Sequence, residues 1–144
     1  MAITTAKGTT LQISDTGTSP FTFTSISQVR SISGPTVKPH IVDITTHDTP
    51  GFWRRKLAVL IDAGDISFEI NFDSADATHA FATGMWNQLV GLVKSGFQMT
   101  FPNSAGHLKF VGYLAQHDFN VPVDNVLAVK IQVAITDNIT AATP

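Results

Sequence analysis

The chain has 144 residues, 43% of them hydrophobic, 14% charged and none of them cysteine, with a formal net charge of −2. Those figures fit one globular domain and exclude a wholly disordered chain, a disulfide scaffold, thiolate metal sites and cysteine nucleophiles. The lack of a basic excess removes the electrostatic footprint of a nucleic-acid-binding protein.

Charge is well below the roughly 25% of ordinary soluble domains. This implies either surface meant for neighbours or a surface wetted by Ser and Thr hydroxyls. Residues 1–7 are small and polar and are expected to be flexible. They lack the apolar core of a signal peptide, and no apolar run approaches the ~20 residues that span a bilayer. Synthesis and folding in the cytoplasm are therefore expected.

Leu11 and Ile13 alternate with Thr10, Gln12 and Ser14 in a first short strand, which Asp15-Thr16-Gly17 ends in a turn. Phe21-Thr22-Phe23-Thr24 supplies the return arm of a hairpin. A long strand spans 26–32, bends at Gly34-Pro35, and resumes over 37–45, with Pro39 confined to an edge because it has no N–H for a ladder.

Residues 46–63 then form a long loop. It holds Thr46, His47, Asp48, Pro50, Gly51, the aromatic pair Phe52-Trp53, the basic triplet Arg54-Arg55-Lys56, an apolar run over 57–61, and Asp62. A connection of that length in a small domain is functional or disordered, and its apolar groups gain free energy when water is removed from them. Either it folds back over its own core or it finds its burial partner on another molecule.

The strand 65–72 alternates strictly, Ile66, Phe68, Ile70 and Phe72 against Asp65, Ser67, Glu69 and Asn71. A helix is predicted over 75–94, capped by Asp73 or Ser74. Ala77, Phe81, Met85, Leu89 and Leu92 form an apolar stripe that Trp86, Val90 and Val93 widen. Phe81, Met85, Trp86 and Leu89 are its core candidates against the sheet. Strands follow around Phe97, Met99 and Phe101, over 107–119, and over 126–136, where Leu127, Val129, Ile131, Val133 and Ile135 share a face. Residues 138–144 are expected to fray. The fold class is mainly β with one packed helix, a β-sandwich or flattened barrel, in a single domain over 1–144.

The five histidines, His40, His47, His79, His107 and His117, lack the spacing of a metal motif. Neither a nucleophile elbow, a P-loop nor a dinucleotide fingerprint is present. No cofactor, metal or catalytic residue is expected, and no enzyme activity.

Several ordered pieces carry a resemblance: Ile32-Ser33-Gly34-Pro35, Val42-Asp43-Ile44-Thr45-Thr46-His47-Asp48, Ala63-Gly64-Asp65-Ile66-Ser67-Phe68, Phe101-Pro102-Asn103, Phe110-Val111-Gly112-Tyr113 and the closing strand. Together they resemble the major tail tube protein of long, flexible-tailed bacteriophages, over nearly the whole chain. The resemblance implies a structural virion protein that self-assembles into stacked hexameric rings, the conduit for DNA ejection. It also implies tail-tip or initiator, tape-measure and terminator proteins as partners, and DNA that passes without specific binding.

By position, the loop from Thr46 to Asp62 would contact the adjacent ring, with Phe52 and Trp53 as anchors and Arg54, Arg55 and Lys56 as partners for acidic residues. Asp43, Asp65, Glu69, Asn71, Lys130 and Gln132 are candidates for the lumen face, where a neutral to acidic surface would let DNA slide. The shared lineage leaves contractile-tail and type VI secretion tubes as alternatives. A β-sandwich carbohydrate- or receptor-binding module is a rival of another class. It would need a concave aromatic platform, and the chain has two Trp and one Tyr.

Overall fold

Period-two alternation dominates the chain, and the computed structural model, which describes residues 5–14 and 21–142, turns it into sheet. Among the described residues seven strands form one antiparallel sheet: β1 (Thr10–Ser14), β2 (Thr24–Ser25), β3 (Val29–Ser33), β6 (Asp65–Asn71), β7 (Lys94–Thr100), β8 (His107–Asn120) and β9 (Ala128–Ala142). Their order is β2-β1-β7-β8-β9-β6-β3. A separate two-stranded ribbon pairs β4 (Lys38–Asp43) with β5 (Lys56–Asp62), and one short helix, α1 (Met85–Val90), joins β6 to β7.

The long strands β8 and β9 bend the sheet onto itself. β7 pairs with β8 over 107–113, whereas β6 pairs with β9 over 128–134. The β8–β9 ladder shifts register between Lys109 and Val111 and again between Leu114 and Gln116. Such bulges bend strands and let them pass from one sheet layer to the next. Leu11, Ile13, Phe97, Met99 and Phe110 from one half therefore meet Ile66, Phe68, Ile70, Val129, Ile131 and Val133 from the other in a single core. The result is a curled half-barrel, mainly β with one helix.

The helix is much shorter than its sequence pattern. Residues 74–83 form turns instead, because side chains compete for the backbone. The Ala75 N–H donates to Asp73 Oδ1 at 3.0 Å and the Thr78 N–H to Asp76 Oδ1 at 2.8 Å. His79, buried, accepts the Asp73 N–H at Nδ1 (3.0 Å) and bridges to the Ser27 carbonyl through Nε2 (2.9 Å). Gly84 is extended (φ −99°, ψ −157°), and it, not Asp73 or Ser74, stands at the N-cap. The helix ends at Val90, and Lys94 already belongs to β7.

Of the expected helix core, Met85 is buried, while Trp86 and Leu89 are half-buried on the helix. Phe81 lies before the helix and is 54% exposed. At the C-terminus β9 runs on to Ala142 instead of fraying from 138, because Thr140, Ala141 and Ala142 pair with Lys109, Leu108 and His107. Ile139 packs on the core. Residues 5–7 lie at the surface ahead of a turn in which the Thr9 N–H reaches the Ala6 carbonyl. The expected turn at 15–17, and residues 1–4 and 143–144, lie outside the described residues.

Candidate assembly surface

The predicted loop is mostly a hairpin. Its second half is strand β5, in register with β4: Lys38 opposite Asp62, Pro39 opposite Ile61, Val42 opposite Leu57, Asp43 opposite Lys56. The run over 57–61 hid this because it lacks the polar alternation of a half-wet strand. Charge complements charge at both ends of the ladder, and between them the pairs are apolar except that His40 faces Leu60. Beyond the strands the Ile44 N–H still reaches the Arg55 carbonyl, and the Arg55 N–H donates to Thr45 Oγ1 at 2.8 Å. The true loop is therefore the tip, residues 46–54.

Every residue of β4 and β5 is exposed. An isolated two-stranded hairpin is marginal in water, and this one presents Ile41, Val42, Ile44, Leu57, Val59, Leu60 and Ile61 to solvent. At the tip Trp53 is 84% exposed and Phe52 fully so. Beside them Arg54 Nη1 reaches Asp43 Oδ2 at 3.2 Å, and Arg55 and Lys56 are exposed. Hydrogen bonds from Thr45, its side chain first and its backbone N–H next, outweigh desolvation and hold the Asp43 carboxyl below the ordinary carboxylate range, and Arg54 adds to this.

His47, Asp48, Pro50 and Gly51 complete the tip, where Thr46 and Thr49 bond each other through backbone and hydroxyl groups. Asp62 is apart from them. It lies at the root of the arm, where its Oδ1 accepts the Gly64 N–H at 2.9 Å.

A second surface is the outward face of β3, β6, β9 and the end of β8. The pairing Glu69–Lys130–Asp118 crosses three strands. Arg30, which the sequence reading did not single out, bonds Glu69 at 3.0 Å, and Gln132 Nε2 donates to Asp65 Oδ2 at 2.9 Å. Asp65, Glu69, Lys130 and Gln132 are thus brought together. Asn71 joins them at the end of β6, but its Oδ1 is buried without a partner among the described residues. Asp43 is elsewhere, on the arm. The face carries Arg30 and Lys130 against Asp65, Glu69 and Asp118, among Ser, Gln and Asn side chains.

Among the described residues no group of three or more His, Asp or Glu side chains is placed to hold a metal ion, and no helix is long and apolar enough to cross a membrane. The fold is shared with chains in solved structures of tails and contractile injection systems. The chain is similar to the gene transfer agent tail, a structure with C6 symmetry (TM-score 0.72, 21% identity, 92% of this chain and 96% of that one). It is also similar to the SPP1 tail tube (TM-score 0.77, 6% identity, 99% and 80%). A third likeness is to the PVC sheath–tube complex of an extracellular contractile injection system (TM-score 0.74, 9% identity, 99% and 93%).

The half-barrel fold is thus one found in tail structures. Residues 5–142 match the family described as lambda phage tail tube protein, TTP, and the chain belongs to that family. It is a structural protein of the phage tail tube, a component of the virion. No curated protein matches the chain.

Proposed function

We propose that copies of this chain close into hexameric rings and that the rings stack through the arm. The observation that carries the reading is the arm itself, an apolar hairpin with a basic, aromatic tip that nothing on its own half-barrel covers. Exposed apolar surface of that extent marks an interface, and Trp and Arg are the residue types that dominate binding energy at interfaces.

The ring would close through sheet edges. Among the described residues β3 has a free edge, and the end of β8 past Tyr113 pairs only with β9. Joining the two edges between neighbours continues one sheet around a circle and removes the aggregation hazard of open edges. The C6 symmetry of the gene transfer agent tail supports six copies. The polar face of β3, β6, β9 and β8 would then line the conduit, with Asp65, Glu69, Asn71, Lys130 and Gln132 on it. Tail-tip, tape-measure and terminator proteins would meet the two ends, and DNA would pass without specific contacts.

Electron microscopy of the purified protein with and without tail-tip complexes tests this, with Trp53→Ala alongside. Wild type should give hollow tubes. The variant should keep its circular dichroism spectrum and stop at rings or monomers. Loss of the monomer fold in Trp53→Ala, or wild-type particles that never form rings or tubes, would overturn the reading.

A further inference from the structure

The arm leaves the half-barrel at one end of β6. Gly64 and Thr36 meet there, and Gly34 lies against Asp65. The other end of β6 is Asn71, in register with Ala128 and, across β9, with Asn120. The seven residues of β6 span about 20 Å at ~3.3 Å per residue, so the root of the arm and the far end lie at opposite ends of β6.

The far end is apolar and aromatic. Phe72, Phe81, Trp86 and Phe119 pack ring on ring, with centroids 5.6 Å apart for Phe72 and Phe81 and 5.9 Å for Phe81 and Trp86. Phe81 nonetheless stays more than half exposed, and the β8–β9 turn that follows Phe119 and Asn120 adds exposed Val121, Val123 and Val126. Residues 72–93 and 110–129 contain no Lys or Arg; their charged groups are Asp73, Asp76, Asp118 and Asp124. Asp76 is engaged by Ser27 and Thr78, and Asp118 stands opposite Lys130. Asp73 and Asp124 are exposed at the surface.

The arm is the complement. Its tip carries Arg54, Arg55 and Lys56 around Phe52 and Trp53, against Asp48; Arg54 is bonded to Asp43 and Lys56 stands opposite that same residue, so Arg55 is the tip cation left to pair with another copy. The tip is aromatic and mainly basic, the far end is aromatic and exposes Asp73 and Asp124, and no arm residue is among those packed on the core of its own copy. Between copies they match in charge and in apolar character. The contact is heterologous, and between stacked rings it repeats as an open series because each copy keeps one unused tip or receptor.

We propose that the far end, Phe81 with the turn Val121 to Val126 and Asp124, is the receptor for the arm tip of a second copy of this chain in the neighbouring ring. Trp53 packs on Phe81 and the valines, and Arg55 pairs with Asp124. This rests on the tube reading above and deepens it by naming the surface that the arm enters. Charge complementarity fixes register and suppresses wrong partners, so the pairing also sets the polarity of stacking.

The chain has no cysteine, so introduced thiols report cleanly. Phe52→Cys and Val123→Cys are placed in one chain, assembled on tail-tip complexes, and joined by oxidation or by a short bis-maleimide. Each copy then offers one tip and one receptor, and the expected product is a ladder of covalent oligomers that grows past the dimer. Mixing the two single variants should give dimers only. A competing seat is the groove at the open seam of the half-barrel, lined by Val29, Ile32, Met99, Phe101, Ala105 and Leu108. Phe52→Cys with Ala105→Cys samples it, and a ladder from that pair would overturn the proposal.

So would normal tubes in the microscope with no ladder from the Phe52 and Val123 pair, while the tube reading would survive. Failure of wild type to form any ring or tube would remove both. As a second test, Arg55→Glu should reduce tube yield at least tenfold, and Asp124→Arg in the same chain should restore it. No recovery with the double variant folded would overturn the pairing.

Discussion

Gly64 and His117 show how much single residues decide here. Gly64 sits at φ +71°, and a Cβ there would lie 2.4 Å from the Thr36 carbonyl oxygen. Gly64→Val therefore combines left-handed strain with a backbone clash and should cost about 2 kcal/mol or more in urea denaturation. Burial lowers the His117 imidazole below its ordinary pKa, and nearby His79 lowers it further. The folded chain then binds fewer protons than the unfolded one in mild acid. This contribution to stability is complete above the unfolded value of about 6.5 and is lost as pH falls toward the lowered folded value.

Asp76 acts in a lower window. Desolvation would raise it, but hydrogen bonds from Ser27 and Thr78, with attraction from His79, outweigh that and hold it below its ordinary value. Its contribution is present above about pH 3.8 and fades below. Thermal melts at stepped pH separate the two groups. His117→Phe should flatten the dependence between about pH 7 and pH 5 and leave the loss below about pH 4 unchanged.

At the scale of elements, the arm and the half-barrel are energetically separate. No arm residue belongs to the core, and the chain enters and leaves the arm where Thr36 touches Gly64. Replacing residues 38–62 with an Asn-Gly turn should leave the melting temperature within about 3 °C of wild type, because the removed surface was never buried. The same replacement should abolish tubes in the microscope. A large drop in melting temperature would mean that the arm packs on its own half-barrel.

The same energetics explain what the sequence made legible. β6 and β9 each keep one face in the core and one in water, so Ile66, Phe68 and Ile70 and then Val129, Ile131 and Val133 alternate cleanly with polar residues. β5 has no such contrast: Leu57-Ala58-Val59-Leu60-Ile61 carries no polar alternate, and its pairing with β4 had no local signature. The helix failed for the opposite reason. Ala77, Phe81, Met85 and Leu89 have helical spacing, but the His79 bridge to Ser27 and the extended Gly84 are tertiary choices that override local pattern. On the polar face, Asp65, Glu69, Lys130 and Gln132 follow from alternation alone. Arg30 does not, because its partner Glu69 is distant in sequence and the β3–β6 register shifts beside it.

At the scale of the whole molecule, the polar face sets how DNA would move through a tube lined by it. Arg30 and Lys130 stand against Asp65, Glu69 and Asp118, and the Arg30–Glu69 bond and the Glu69–Lys130–Asp118 row cancel charge locally. A duplex passing along it would meet hydroxyls and amides and little net attraction, whereas unpaired cations would release counterions and hold the phosphates. Ser67 and Gln132 face each other across β6 and β9 on this surface. Ser67→Lys with Gln132→Lys should leave tubes of normal appearance, since neither side chain enters the core, and should slow DNA ejection at low salt. Raising the salt should restore the rate, because the added term is electrostatic and screened. Ejection kinetics from phage carrying the double variant, followed against sodium chloride concentration, measure this. An unchanged rate at every salt, with normal tubes, would place a different face of the half-barrel toward the DNA.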